Sequence, residues 1–589
     1  MFQNYLKIAW RNLLRHKSFS IINILGLSTG IAACFMIFLY VQHELTYDQY
    51  NANSDRIVRV TTRLQGPEAD MNFAACPIPL GGAITKDFPE VAATVRMEPN
   101  RPIVNYNNEL INESDFLRTE QSIFDVFSFN FIEGSAAAAL TKPNTIVLSQ
   151  TTAKKYFGSE SALGKTLVCD GQPWQVSAVI KDRPANSDIK IAALLSSDPS
   201  KVTAWLDDDF SVYTFVLFKN KPDLKGFEKK LQQLSTKYVQ PELEAAGAKG
   251  YKVSFGAEML KDVHFSKDKL VDTPKGNKQF NYIFSLLAVF ILIIALLNYI
   301  NLSTARATER AKEVGVRKVN GARTFQLIRQ FLFESFLLIT IAWAIAIALV
   351  IVLLPFFNSL LQTELTLSWQ GSLLFIPLAF FITILLAGLY PAFVLSSFPS
   401  IKILQGKWRH SKKGIFLRKS LTVAQFAITA GLVTGMIVIY SQMNFIKNKD
   451  LGFSKDQVVT FFVPLDDASQ KNVSSFANEL KQQATVQQVS VGYGMRSEAI
   501  AMANTKVETK DGTRELMVNY SFIDKQFLDM MKIPVKEGRN ISDSMATDKT
   551  EAFLINEAFV QKMGWQTAIG KSLEGFGYKG KVEIGRAHV

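Results

Sequence analysis

Apolar residues in this chain are gathered into five runs, at about 21–43, 280–302, 333–354, 373–395 and 421–440. Each is close to the roughly 20 residues that carry a helix across a hydrocarbon layer. No ionisable residue stands in the middle of any of them. The first run is long and unbroken, with no small-residue cleavage site behind it, and so reads as a retained span rather than a signal peptide. Ahead of it, residues 1–20 place Phe2, Tyr5, Leu6, Ala9, Trp10, Leu13 and Leu14 at helical spacing. That pattern predicts an amphipathic segment on the inner leaflet. Gly26 and Gly30 in the first run, and Gly431 and Gly435 in the fifth, put small residues four apart, the spacing that lets helices approach closely. Packing within one chain is the stronger reading of both pairs, dimerisation the weaker.

Residues 44–279 are over 200 in number, enough for a core of their own. Strand-like runs appear at 57–62, 165–179 and 213–220, and helical periodicity at 150–157 and 224–239. Asp170-Gly171 sits between alternating apolar positions and predicts a hairpin. The expectation is a mixed α+β domain. A second copy follows. With one deletion, Lys155, Ala162, Gly164, Lys165 and Leu167 align with Lys562, Ala568, Gly570, Lys571 and Leu573, and Glu133-Gly134 aligns with Glu537-Gly538. The glycine pairs of the first and fifth runs share nearly the same offset, about 405. An internal duplication is therefore expected, with 441–583 a partial second domain and three further spans to come. The last six residues, 584–589, read like a translated sequencing adapter and are expected to be non-native.

Net charge is +13, but its placement argues for membrane orientation and against nucleic acid. Residues 1–20 and 396–420 carry basic residues and no acid, 303–329 is also basic, and 355–372 has no Lys or Arg. Short basic loops stay cytoplasmic. The resulting topology puts the N-terminus, 303–329 and 396–420 inside, and 44–279, 355–372 and 441 onward outside. Cys76 and Cys169 both fall outside, where pairing is a minor reading; Cys34 lies in the first run. The five histidines are scattered, so neither a metal cluster nor a nucleophile–base pair assembles. Gly158 to Thr166 has five residues between its glycines, where a P-loop has four, and reads as a helix-to-strand turn. Asn298 and Asn301 are polar groups that a neighbouring helix would satisfy. Glu334 is expected to pair with Arg329 or another basic residue of the loop.

The stretch 303–322 lies between two apolar runs. Arg306, Arg310, Glu313 and Arg317 recur along it at spacings that share one helix face. Gly315 weakens that helix and Asn320-Gly321 ends it. Charge pattern alone leaves two equal readings, a seat for a soluble partner or a solvated connector that keeps the loop in the cytosol.

At 298–322 the chain resembles the FtsX-like permease domain of MacB-type ABC transporters. Arg310, Lys312, Glu313, Gly315, Val316, Arg317, Lys318, Gly321 and Ala322 occupy that family's pattern, with Val319-Asn320 where two apolar residues are usual. The opening, KIAWRNLLRHKSFSIINILGLSTGIA, is similar to the duplicated permeases of Bacteroidetes-type bacteria. The resemblance implies an α-helical membrane protein with α+β extracytoplasmic domains. It implies an FtsX-like four-span unit, a MacB-like periplasmic core domain and the start of a second copy, in the inner (plasma) membrane. It further implies that the chain is no enzyme and binds no cofactor, ATP being bound by a dimer of separate cytosolic ATPase subunits that seat against Glu313, Arg317 and Lys318. Other implied partners are membrane lipid and, where export is the task, a periplasmic adaptor and outer-membrane channel. Transmission of ATP-driven motion for export or envelope-cargo handling is the leading reading. Control of a cell-wall hydrolase by the same machinery is the alternative, and a receptor without an ATPase a distant third.

Overall fold

The computed structural model describes the chain apart from residues 1, 68–69, 108, 207–209, 247, 249, 306–313, 368–374, 397–411, 451, 455–456, 462, 464–466, 493–500, 510–511, 550–551, 576–577, 582–585 and 588–589. It divides into two compact units, one of residues 1–66 and 70–435, the other of 436–589 with 67–69.

Long apolar helices fill much of the first unit, and the last of them continues past its boundary at Gly435. In chain order they are Lys17–Leu45, Lys278–Ala305, Thr324–Leu361, Phe375–Ser396 and Lys412–Asn448. All but the fourth are long and apolar enough to cross a membrane; the fourth carries the shorter apolar stretch Ile376–Leu389. The third extends past the 333–354 run at both ends. At its start Gln326 accepts from the Arg323 N–H at 2.9 Å, a side-chain cap. At its end Pro355 is carried inside the helix, which closes only at Gln362, where φ is 51°. The Asn358 amide pins that exit by bonding both Leu365 backbone groups, at 3.0 and 3.1 Å. The first four helices share one apolar core, in which Leu27, Phe35, Leu296, Ile339, Ala346 and Ala387 are buried.

The first helix approaches the second at its glycines. A Cβ on Gly30 would stand 2.6 Å from Ala295 Cβ, and one on Gly26 3.2 Å from Asn298 Nδ2. Around Gly431 and Gly435 there is open space among the described residues. A short N-terminal helix, Phe2–Arg15, reaches the third helix through Asn12, whose amide donates to Glu334 at 3.0 Å.

Between the first two membrane helices lies a 13-stranded mixed sheet. Its spatial order begins Lys252–Met259, Ile57–Gln65, Tyr213–Phe218, Val91–Asn100, Phe116–Thr119, and continues Ala193–Ser196, Thr145–Ser149, Gln172–Ile180, Thr166–Cys169. Two pairings, Ala193–Ser196 with Phe116–Thr119 and Gln172–Ile180 with Thr145–Ser149, are parallel. The strands alternate or run fully apolar because helices cover them: Tyr213–Phe218 is buried at all six positions. Asp170 and Gly171, with φ of 50° and 74°, form the hairpin turn between Thr166–Cys169 and Gln172–Ile180. The helix Gln150–Phe157 is capped by Ser149, which accepts from the Thr152 N–H.

The second unit repeats this local chemistry. Asn556 caps the helix Glu557–Lys562 by accepting from the Phe559 N–H, as Ser149 does for its helix. Gly564 and Gly570 have φ of 65° and 84°, matching 64° and 79° at Gly158 and Gly164. Glu133 accepts from the Ser161 hydroxyl at 2.8 Å, and Glu537 accepts from that of Thr567. Of the final six residues only Arg586 and Ala587 are described, paired with Ile555–Asn556.

Candidate coupling site

The second membrane helix ends at Ala305, and the chain is helical again over 314–319. Arg306, Arg310, Lys312 and Glu313 fall outside the described residues. Beyond them the link to the third helix is tight. Gly321, at φ 89°, takes the left-handed conformation that ends the short helix, and the Ala322 N–H returns to the Arg317 carbonyl at 3.0 Å. Arg323 is the N-cap residue of the third membrane helix, so three residues, Asn320, Gly321 and Ala322, separate one helix end from the next cap.

Its side chains divide by face. Val314 is buried, whereas Val316 and Val319 are 49% and 63% exposed, and Phe325 one turn into the third helix is 71% exposed. Arg317 is half-buried. Its guanidinium donates to Gln330, a buried residue of the third helix. Gln330 in turn donates to Glu334 at 3.4 Å, and Glu334 also accepts from Asn12. A polar string thus runs from the link through the third helix to the N-terminal helix. Of the amides on Glu334, Gln330 stands one turn away on the same helix, while Asn12 comes from the N-terminal helix, which sequence spacing does not place. What the link offers outward is apolar and basic: Val316, Val319 and Phe325 beside half-buried Lys318.

At the far end of the first two membrane helices the sheet carries a charge cluster that no local pattern along the chain groups. Arg59, 1% exposed on its strand, donates to Glu258 at 2.6 Å and to both oxygens of Asp272 at 2.8 and 3.0 Å. Lys275 bridges Asp272 and Asp188, at 3.0 and 2.5 Å. His264 lies between Asp188 and Glu44, the latter one residue from the end of the first helix. These residues are spread over 44–275; antiparallel pairing sets Arg59 opposite Glu258.

Elsewhere the stretch 158–166 joins a helix to a strand, with the Gly164 N–H spent on the Val176 carbonyl at 2.8 Å. Cys76 and Cys169 are unpaired, each buried in a different apolar cluster, and burial pushes both thiols up to about 12.

Residues 20–234 match the family model of the MacB-like periplasmic core domain, and residues 285–407 that of the FtsX-like permease C-terminal domain. Together these take in more than half of the chain. The chain belongs to the FtsX-like, MacB-type permeases of ABC transporters. Among curated relatives, the permease is 20% identical over 345 residues to the pyoverdine export ATP-binding/permease protein PvdT of Pseudomonas syringae pv. syringae, covering 56% of this chain and 49% of that one. It is 23% identical over 365 residues to the macrolide export ATP-binding/permease protein MacB of Neisseria gonorrhoeae, covering 59% and 52%. It is 22% identical over 366 residues to the uncharacterized ABC transporter permease YknZ of Bacillus subtilis, covering 58% and 84%. The permease thus spans about half the length of most of these relatives. Among solved structures it is similar to a domain of a putative permease from Porphyromonas gingivalis, at TM-score 0.32 and 18% identity, covering 40% of this chain and 98% of that one. The periplasmic region of MacB from Actinobacillus actinomycetemcomitans gives TM-score 0.24 and 16% identity, covering 35% and 90%.

Proposed function

We propose that this permease transmits ATP-driven motion from a separate cytosolic ATPase dimer to its extracytoplasmic sheet domain, in the service of export or envelope-cargo handling. In this reading the N-terminus, 303–329 and 396–420 face the cytosol and 44–279 faces outward, as the basic loops require. The observation that carries it is the link of 314–323. Three residues of connection, a left-handed glycine and a cap give force on the short helix a short path into the third membrane helix. Exposed Val316, Val319 and Phe325 give a partner an apolar footing, and Lys318 with the undescribed Arg310, Lys312 and Glu313 would supply register. Lipid surrounds the remaining apolar helix faces, and a periplasmic adaptor and outer-membrane channel would complete an exporter.

The test is a complex of the chain with its ATPase in lipid nanodiscs. Val316→Asp together with Val319→Asp should reduce stimulation of ATP hydrolysis by about tenfold or more, with membrane insertion unchanged. Undiminished stimulation would remove the link from the coupling path. Co-purification of an adaptor and channel supports export, whereas a cell-wall hydrolase in their place would move the assignment to regulation.

A further inference from the structure

His264 is enclosed on both ring nitrogens by carboxylates. Nε2 lies 3.2 Å from Glu44 Oε2, and Nδ1 lies 3.5 Å from Asp188 Oδ1. The Tyr47 ring stacks on the imidazole, with centroids 3.4 Å apart and planes within 9°, which fixes the ring plane between the two acids. A neutral imidazole has one N–H and one lone pair. In this position it must turn that lone pair on a buried carboxylate, whereas the imidazolium donates to both. Nδ1 of His264 and Oδ1 of Asp188 are buried with no other hydrogen-bond partner among the described residues, so nothing else relieves that repulsion.

The three residues come from three parts of the chain. Glu44 ends the first membrane helix, Asp188 belongs to the sheet domain, and His264 follows the helical turn Leu260–Val263 at the end of the last sheet strand. A fourth part crosses over them on its way into the second membrane helix. The Gly276 N–H donates to the His264 carbonyl at 2.9 Å, and a Cβ on Gly276 would stand 2.3 Å from His264 Nε2 and 2.8 Å from Glu44 Oε2. Both roots of the domain, one entering from each membrane helix, therefore converge on this imidazole.

We propose that protonated His264 is a latch that fastens the ends of the first and second membrane helices to the sheet domain, and that loss of its proton loosens them. The proposal deepens the transmission reading, on which its consequence for work rests, but the latch itself needs no ATPase.

The surrounding charges fit the protonated form. Asp188 also receives Lys275, which shares Asp272 with Arg59, and Glu258 takes Arg59 and Lys269. Asp48 lies 3.7 Å from Arg183, and His43 Nδ1 is 3.9 Å from Glu44. Two carboxylates, Glu44 and Asp188, thus face His264 directly, while the cations Arg59, Lys269, Lys275 and Arg183 are shared among Glu258, Asp272, Asp188 and Asp48. Burial opposes charge on His264, yet hydrogen bonds and charges of Asp188 and Glu44 raise its pKa above the usual histidine value. Burial likewise opposes charge on Asp188, but His264 and Lys275 bring it down to about 2. Stabilisation through His264 is thus complete below about pH 6.5 and is lost as pH rises through its raised value. Stabilisation through Asp188 is present above the ordinary aspartate range and is lost only as pH falls toward about 2. Between those limits the latch is closed, and it opens on the alkaline side.

Hydrogen exchange of the full chain in nanodiscs tests this, comparing the backbone of 272–280 with the strand Val91–Asn100, whose ratio cancels the intrinsic pH dependence of exchange. In the unmodified protein, protection of 272–280 relative to the strand should fall roughly tenfold between pH 6 and pH 9 as the imidazolium is lost. His264→Gln should be loosened at every pH and show no such transition, and Asp188→Asn should move the midpoint to lower pH. A transition that persists in His264→Gln overturns the proposal, as does a pH-independent ratio in the unmodified protein. Should His264→Gln lose protection in the strand as well, Asp188→Asn decides alone: an unchanged midpoint overturns the latch. Failure of ATPase stimulation with the transition intact would instead count against the transmission reading.

Discussion

A methyl group at Gly30 would stand 2.6 Å from Ala295 Cβ, closer than two carbons can lie, so the first and second membrane helices meet at a distance set by one missing side chain. Gly30→Ala should force them apart at a cost of about 1–3 kcal/mol. Ala295→Gly in the same chain should restore most of that, because it removes the opposing methyl; thermal unfolding in detergent measures both. No recovery in the double variant would mean the two positions do not touch. Arg59 makes the opposite point about a buried charge. Its guanidinium pairs with Glu258 and Asp272 inside the sheet, so Arg59→Ala leaves them only Lys269 and Lys275 as cations among the described residues and should destabilise by about 3–5 kcal/mol. A chemical denaturation midpoint close to that of the unmodified protein would show that water or another cation reaches the site.

At the scale of elements, the short helix 314–319 and the third membrane helix act together only while Gly321 keeps φ near 89°. A β-branched side chain resists that conformation, so Gly321→Val should cost about 1–2 kcal/mol and lengthen the link. Stimulation of the partner ATPase should then fall even though every outward-facing residue is intact, which separates rigidity from recognition. The end of this helix was legible, since Asn-Gly after a charged run is a local signal. The direction of Arg317 was not: its partner Gln330 lies on another helix, and periodicity orders residues around one axis without saying where the neighbouring axis stands. The same contrast holds through the fold. The apolar runs and the Asp170-Gly171 turn announce themselves within ten or twenty residues. Arg59, Asp188, Glu258 and His264 announce nothing, because what joins them is sheet pairing and a chain crossing at Gly276. Scattered histidines are therefore weak grounds for dismissing a histidine.

For the whole molecule, transmission across a membrane requires that the link and the sheet domain lie on opposite sides of it. The structure supplies two exposed reporters: Leu110 in the domain, 73% exposed, and Val319 on the link, 63% exposed. The native thiols of Cys76 and Cys169 are buried and pushed up to about 12, so they give little background to a maleimide, which reacts with thiolate. Leu110→Cys should be modified by a membrane-impermeant maleimide in intact spheroplasts, and Val319→Cys only after the membrane is opened. Neither substitution touches the buried charge cluster or the helix core, so insertion should be normal in both. Modification of both cysteines in intact spheroplasts would put the link and the domain in one compartment. The third membrane helix would then have nothing to carry across, and the rigidity of 314–323 would need another explanation, as would the convergence of both domain roots on His264.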